Sequence, residues 1–496
     1  MSEQQTSYRQ IMKATSIFGG VQVFTIIVSI IRSKFIAVLL GPAGMGIAGL
    51  LTSTTGLING LTNFGLGTSA VKDVAAANAT GDETRIATIV TVLQRWVWIT
   101  GVLGALVTLI FSHWLSLLTF GNSDYTVAFV WLAITLLFQQ LTTGRLVVLQ
   151  GMRKLSYLAK ANMTGSLMGL FISVPIYYIY GVRGIVPALI ISSITAMLVA
   201  WYFSHKVAIL PVKVSRAQTV EQGRGMLKMG LTISVTGLIT LGVAYIVRIF
   251  ISHTGGVAQV GLYNAGFAIV NTYVGLVFTA MGTDYYPRLA GVANDRKKTN
   301  QAINQQAEVA ILILAPIIII FLVLINWVVI VLYSSKFVGV NGMIHWAALG
   351  ILFKAVSWSI AFIFLAKGAS KLFFWNELIT NFYLLAFNLL FYKYYGLNGL
   401  GFSFLLTYFI YAIQVYVVAR VKYAFAFDAA FYKVFGIQLV LGVAAFVVIK
   451  TTVAPVNYII GILLIILSIL YSFRELDRRI GLKAALSTVI KRFTGK

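Results

Sequence analysis

The chain has 496 residues, 59% hydrophobic and 10% charged, with 38 Lys and Arg against 13 Asp and Glu for a net charge of +25. A soluble domain carries about a quarter charged residues, so a soluble globular protein is excluded. The absence of cysteine excludes disulfides, thiol catalysis and cysteine-ligated metal.

Inside lipid, only helices or closed barrels satisfy the backbone. The apolar runs are about twice the ~10 residues of a barrel strand and apolar on every side, so helices are expected. The amino terminus lacks a short apolar core with a small-residue cleavage site, and its first apolar run is too long for a signal peptide, so it should remain as a span. In chain order, spans are read at 15–40, 45–70, 86–112, 126–149, 156–179, 184–204, 228–252, 261–287, 304–332, 343–366, 372–394, 397–419, 432–450 and 456–473. The fold class is all-α integral membrane with about 14 transmembrane helices. Pro175, Pro187 and Pro316 fall inside spans and permit kinks.

The cations are sorted by side. Of the 38, 28 lie at the termini or in every second gap and its edges, the other gaps and their edges hold only Arg183, Lys336, Lys393 and Lys450, and six lie well within spans. Basic residues favour the cytoplasmic side, so a multi-pass protein of the bacterial inner (cytoplasmic) membrane with both termini cytoplasmic is expected. Spreading the charge over many short loops argues against nucleic acid as a partner. The outward loops are too short to fold separately, and the polar, basic segment 206–227 reads as a joint between two halves.

Those halves look alike. Tyr180, Gly181 and Gly184 correspond to Tyr395, Gly396 and Gly399 at an offset of 215, and Gly41 and Gly46 correspond to Gly256 and Gly261 at the same offset. An even number of spans between copies relates them by an axis along the membrane normal. The expected organisation is an N-lobe at 1–205, a cytoplasmic linker at 206–227, a pseudo-symmetric six-helix C-lobe at 228–420 and two extra helices within 421–473. A basic tail at 474–496 carries Leu476, Ile480, Leu486, Ile490 and Phe493 near one helical face, which suits the anionic inner leaflet.

The six cations inside spans are Arg32, Lys34, Arg95, Arg145, Arg248 and Lys354. A charge at a helix centre costs about 2.5–3.5 kcal/mol even on the lenient insertion scale. Arg145 and Arg248 lie near span ends and can snorkel, whereas Arg32, Lys34 and Lys354 lie deeper and must face protein, water or a ligand. The acids within spans are few, Asp284, Glu308 and Glu377, all in the second half. The interior should therefore be net positive, which favours an anionic substrate such as a diphosphate. Arg32 and Arg248 lie nine and eight residues before Gly41 and Gly256, so equivalent helices carry an Arg at similar depth. A binding site at the interface of two repeats fits this arrangement.

The stretch from Ser29 to Gly46, with Arg32 and Lys34 followed by Gly41, Pro42, Gly44 and Gly46, resembles the opening signature of the polysaccharide-exporter branch of the multidrug/oligosaccharidyl-lipid/polysaccharide (MOP) superfamily. It is most similar to flippases of the O-antigen and enterobacterial-common-antigen type. The resemblance implies two six-helix lobes around a cationic cavity and translocation of an undecaprenyl-diphosphate-linked oligosaccharide by alternating access. It implies no enzyme and no bound cofactor, with Na⁺ or H⁺ as a coupling ion, a monomer among membrane lipids, and a glycan polymerase and chain-length regulator as partners. Arg32, Lys34 and Arg248 then become diphosphate or sugar-acid contacts. Arg95, Arg145 and Lys354 join them as anion-binding candidates, Tyr245, Asn264, Asn271, Tyr273 and Asn381 become sugar contacts, and Asp284, Glu308 and Glu377 become ion-coupling candidates. The two extra C-terminal helices depart from twelve-helix members of the family.

Two other functions fit the sequence less well. A cation-coupled drug exporter of the same superfamily would want carboxylates in its cavity, and the charge sign argues against it. A membrane-embedded glycan polymerase or ligase needs a catalytic constellation, yet His113, His205, His253 and His345 are scattered at span ends without a His–carboxylate spacing.

Overall fold

The computed structural model describes residues 3–480, with side chains from 20 to 479 apart from those of Tyr273 and Thr283. Leu486, Ile490 and Phe493 of the expected amphipathic tail, and the side chain of Ile480, lie outside the described residues, as do the side chains of Arg9 and Lys13.

Among the described residues the fold is all-helical. The α-helices are α1 (Glu3–Thr62), α2 (Leu66–Ala79), α3 (Glu83–Ile110), α4 (Ser112–Phe120), α5 (Thr126–Gly151), α6 (Leu155–Tyr180), α7 (Ile185–His205), α8 (Arg216–Gly255), α9 (Val257–Phe267), α10 (Gly275–Gly291), α11 (Arg296–Leu332), α12 (Asn341–Ala366), α13 (Ser370–Tyr423), α14 (Ala429–Thr451) and α15 (Val456–Ile480). Between α9 and α10 lies a π-helical turn, Ala268–Tyr273. Eleven helical stretches are long and apolar enough to cross a bilayer among the described residues. The expected fourteen spans count separately the two arms of α1, of α13 and of the α6–α7 stretch.

Local chemistry sets where the helices begin. The Asp82 carboxylate accepts the Thr84 hydroxyl and the Thr84 and Arg85 amides, opening α3, and these bonds hold its carboxyl below the usual range, the Thr84 hydroxyl most strongly. Ser215 and Gln218 form a reciprocal capping box at the start of α8. The expected linker 206–227 thus runs outside helix over 206–215 and is helical from Arg216.

Glycine sets where the helices bend. Gly41 (φ 66°, ψ −170°) breaks α1, and Gly396 (φ 57°, ψ −139°) breaks α13. Gly181 (φ 56°, ψ −135°) separates α6 from α7, and Gly256 (φ 82°, ψ 168°) separates α8 from α9. A positive φ with an extended ψ is open essentially to glycine alone. A Cβ at any of the four would meet open space, so the need is for backbone freedom rather than room. The four form two pairs at the 215-residue offset, and each pair shares one backbone conformation. Gly46 and Gly261 serve a different purpose: a Cβ at Gly46 would collide with the Val257 carbonyl and one at Gly261 with the Pro42 carbonyl. Small residues here let α9 and the second arm of α1 approach backbone to backbone.

By contacts the chain forms two compact units, Met1–Asn264 with Leu332–Lys336, and Ala265–Val331 with Phe337–Lys496. In the first, α3 packs along α5, α6 along α7, and α8 against α1 and α2. Leu66, Ala70, Val74, Leu93, Val97, Val147 and Met226 form a core there. In the second, α12 packs along α13, and α14 along α15. The apolar window of α12 is 72% buried, against 11% for that of α8, so a polar group on α12 meets protein before it meets lipid.

Candidate functional site

The six cations that the sequence places within spans occupy distinct settings. Ion pairs join Arg288 to Asp284, Lys298 to Asp295, Arg478 to Glu475, and Arg479 to both Glu308 and Glu475, and among the described residues Arg32, Arg95, Arg145, Arg248 and Lys354 take part in none.

In the first unit Arg248 is partly buried on α8. Its Nε donates to Asn264 Oδ1 at 3.0 Å, its Nη1 donates to the Ala244 carbonyl at 2.9 Å, and its guanidinium lies 5.7 Å from the Tyr263 ring centroid. With its oxygen engaged, the Asn264 amide leaves Nδ2 buried and unbonded. Gly49 makes room for that amide, since a Cβ there would collide with Nδ2. Arg32 is partly buried on the first arm of α1, its Nε enclosed without a hydrogen-bond acceptor. Lys34 and Arg145 are also partly buried. Tyr245 is buried and shares a 2.7 Å hydrogen bond with Thr119, an interhelical packing contact.

The second unit repeats the cation–amide pairing. Lys354 Nζ donates to Asn271 Oδ1 at 2.9 Å, and Asn271 Nδ2 is buried and unbonded. Asn271 projects from the π-helical turn, a local distortion that often marks functional sites. Three rings enclose the ammonium, with Tyr408, Phe404 and Phe278 centroids at 5.1, 5.6 and 5.7 Å. Tyr408 lies 6.5 Å, centroid to centroid, from Tyr411, whose hydroxyl donates to Glu377 Oε1 at 2.7 Å. Asn381 is buried beside it and donates to the Glu377 carbonyl at 2.9 Å. Gln414 Nε2 donates to Asn376 Oδ1 at 2.9 Å one residue away.

The other acids are spoken for. Glu308 Oε2 accepts from Arg479 Nε at 2.6 Å, and Arg479 also pairs with Glu475. Asp284 faces Arg288 at 3.5 Å with an exposed carboxylate, and these groups border an open cavity of about 600 Å³. Tyr273 lies in the π-turn, its side chain outside the described residues.

A fixed cation beside a fixed amide with free N–H groups can bind an anion, because one oxygen can accept from both. The spacing of the cations was legible in sequence. Tyr408, Tyr411, Phe278 and Phe404 were not singled out, because an aromatic in a span reads first as packing. Arg479 reads in sequence as one more cation of the tail.

The family described as polysaccharide biosynthesis protein matches residues 35–342. Among curated proteins, the chain is similar to the lipid III flippases of Escherichia coli (strain K12) and Shigella flexneri, each 22% identical over 385 residues that cover 76% of this chain and 90% of the relative. Among solved structures it is similar to the lipid II flippase MurJ in an inward closed conformation, with a TM-score of 0.69 at 13% identity over 95% of this chain and 99% of that one. It is also similar to an inward-facing multidrug resistance MATE family transporter of the MOP superfamily, with a TM-score of 0.66 at 15% identity over 83% of this chain and 96% of that one. At such identities the structural likeness speaks to the fold alone, an all-helical architecture of long apolar helices.

Proposed function

We propose, from the premise that the chain belongs to the polysaccharide biosynthesis protein family, that it is a flippase moving a lipid-linked glycan across the bacterial inner membrane. The substrate class is an undecaprenyl-diphosphate-linked oligosaccharide, an O-antigen or similar surface-glycan unit, and the cycle is alternating access. Both termini face the cytoplasm, and a glycan polymerase and chain-length regulator use the exported unit.

The physical task is to carry a hydrophilic head through hydrocarbon while the polyprenyl tail stays in lipid. Every unpaired polar group costs free energy there, and a bare charge costs far more. The observation that carries the reading is that Arg248 and Lys354 sit on apolar helices and, among the described residues, form no ion pair and are held by neutral groups. Their charge is left to offset a diphosphate's lost hydration. Asn264 and Asn271 each carry a buried amide N–H without an acceptor beside these cations, donors that a phosphate or sugar oxygen would satisfy once the helices part. Arg32, with a buried and unbonded Nε, is a further anion donor, and Lys34 joins it on the same arm. A drug exporter would need unpaired acids in these places. Glu377, hydrogen-bonded to Tyr411 and free of any ion pair among the described residues, is the candidate for coupling to Na⁺ or H⁺.

The test is made in cells. Depleting the protein should trap lipid-linked oligosaccharide on the inner leaflet, measured by its protection from a glycan-modifying enzyme added outside. Unchanged outer-leaflet exposure at full depletion would remove the flippase reading.

A further inference from the structure

We infer that the groove between α3 and the start of α8 is a binding site for an anionic phospholipid, held by its phosphodiester headgroup. The groove has a volume of about 730 Å³ and is lined by Gln94, Arg95, Trp98, Ile99, Arg216 and Val220 among others. It belongs wholly to the first compact unit.

Depth comes first. The large exposed apolar side chains of α3 begin at Trp98 and continue through Ile99, Val102, Leu103 and Leu106 to Ile110, with none between Glu83 and Trp98. The hydrocarbon boundary therefore lies near Trp98, and Arg95 sits about one turn nearer the cytoplasm, at headgroup level. This also explains how an arginine inside a hydropathy window is tolerated. Trp98 itself, amphipathic and 52% exposed, suits the interface.

Charge comes second. Arg95 Nη1 donates to Thr219 Oγ1 at 2.7 Å and reaches the Ser215 carbonyl at 3.4 Å, which leaves its Nε and Nη2 hydrogens for a ligand. Trp96 Nε1 donates to the Thr219 carbonyl at 2.9 Å and fixes the opposite wall. Arg216, the first residue of α8, is exposed. Among the described residues no acid lines the groove. Two guanidinium groups without a carboxylate suit one phosphodiester, whose two oxygens can accept from both. A zwitterionic lipid would bring its own ammonium against them.

Shape comes third. Above the two arginines, Ile99, Val102, Leu103 and Leu106 form an exposed ridge along which an acyl chain can lie. A free phosphate would use the arginines but leave Trp98, Ile99 and Val220 uncovered. None of Arg32, Lys34, Arg248 and Lys354, the cations that carry the transport reading, lines the groove, and the assignment does not rest on that reading.

The test uses the purified full-length chain in detergent, titrated with phosphatidylglycerol and with phosphatidylcholine of the same acyl chains and read by native mass spectrometry. Phosphatidylglycerol should bind about tenfold or more tighter. Arg216→Gln, whose side chain is exposed, should weaken it about fivefold, the worth of one cation at an anionic surface. Arg95→Gln should weaken it at least as much. Equal binding of the two lipids, or wild-type affinity in both variants, would overturn the assignment. So would sn-glycerol 3-phosphate binding as tightly as the lipid, which would make the site one for a free anion. Competitive displacement by undecaprenyl diphosphate at lower concentration would make it a substrate vestibule and likewise overturn it.

Discussion

Lys354→Met is the most informative single change. The side chain keeps nearly the same length, and its sulfur can still pack against Phe278, Phe404 and Tyr408. What is lost is one positive charge and one hydrogen bond to Asn271. No carboxylate is left stranded, so the penalty of breaking a buried ion pair does not arise. A hydrogen bond to a charged group contributes about 1.5–3 kcal/mol, and removing a buried ammonium returns a comparable desolvation cost. Folded-state stability should therefore change by no more than about 1–2 kcal/mol. Transport should change more. A unit anionic charge about 4 Å from the ammonium gains about 4 kcal/mol at an effective dielectric of about 20. If exchanging Asn271 and water for the anion returns half of that, about 2 kcal/mol remains, or roughly a thirtyfold loss in apparent affinity. The assay is leaflet exchange of a diphosphate-linked glycan in proteoliposomes, with thermal unfolding of the same preparation as the control for folding. Lys354→Arg should retain more transport than Lys354→Met. Wild-type exchange by Lys354→Met at equal folded protein would refute the argument that this charge faces substrate.

Other consequences can be checked alongside. Arg248→Gln and Arg32→Gln should each reduce transport about tenfold without loss of folded protein, read by complementation at matched expression; full complementation by the double variant would contradict their role. Gly41→Ala and Gly396→Ala force a Cβ into a glycine-only region and should each cost about 1–3 kcal/mol, seen as a lowered unfolding temperature. Gly237→Ala, in the interior of α8 with open space around its Cβ, should instead gain about 0.5–1 kcal/mol. Glu308→Gln and Arg479→Gln should each lower stability by about 1–3 kcal/mol, and a double-mutant cycle should show coupling, because the 2.6 Å pair is only 7% and 24% exposed. Glu377→Gln should slow transport and flatten its dependence on pH or Na⁺; an unchanged profile would remove Glu377 from coupling.

Much of the frame was legible because the relevant physics leaves a mark on residue identity. Hydrocarbon selects apolar runs, so the helices stand out. A positive φ with an extended ψ selects glycine, so the bends at Gly41, Gly181, Gly256 and Gly396 were visible as a repeat before any coordinates. Gly46 and Gly261 were visible for a second reason, the close approach of two backbones.

The parts that were not legible depend on contacts between distant segments. Nothing local says that Asn271 accepts from Lys354, 83 residues away, or that a π-turn carries it. Tyr408 and Tyr411 are two tyrosines among 24 until their neighbours are known. The depth proposed for Arg95 was hidden because hydropathy averages over α3, whereas the large exposed apolar side chains of that helix begin only at Trp98. Arg479 counted as a tail cation, yet it lies within the last turns of α15 and reaches back to Glu308 on α11.

The most direct measurement is leaflet exchange in liposomes containing only this protein and two fluorescent lipid-linked glycans that share a glycan and a polyprenyl tail. One carries a diphosphate linkage and the other a neutral linkage. Rapid exchange of the diphosphate lipid and little exchange of the neutral one are expected, with the difference collapsing in Arg248→Gln and Lys354→Met. Equal exchange of both lipids, or a preference that survives loss of those two cations, would contradict it.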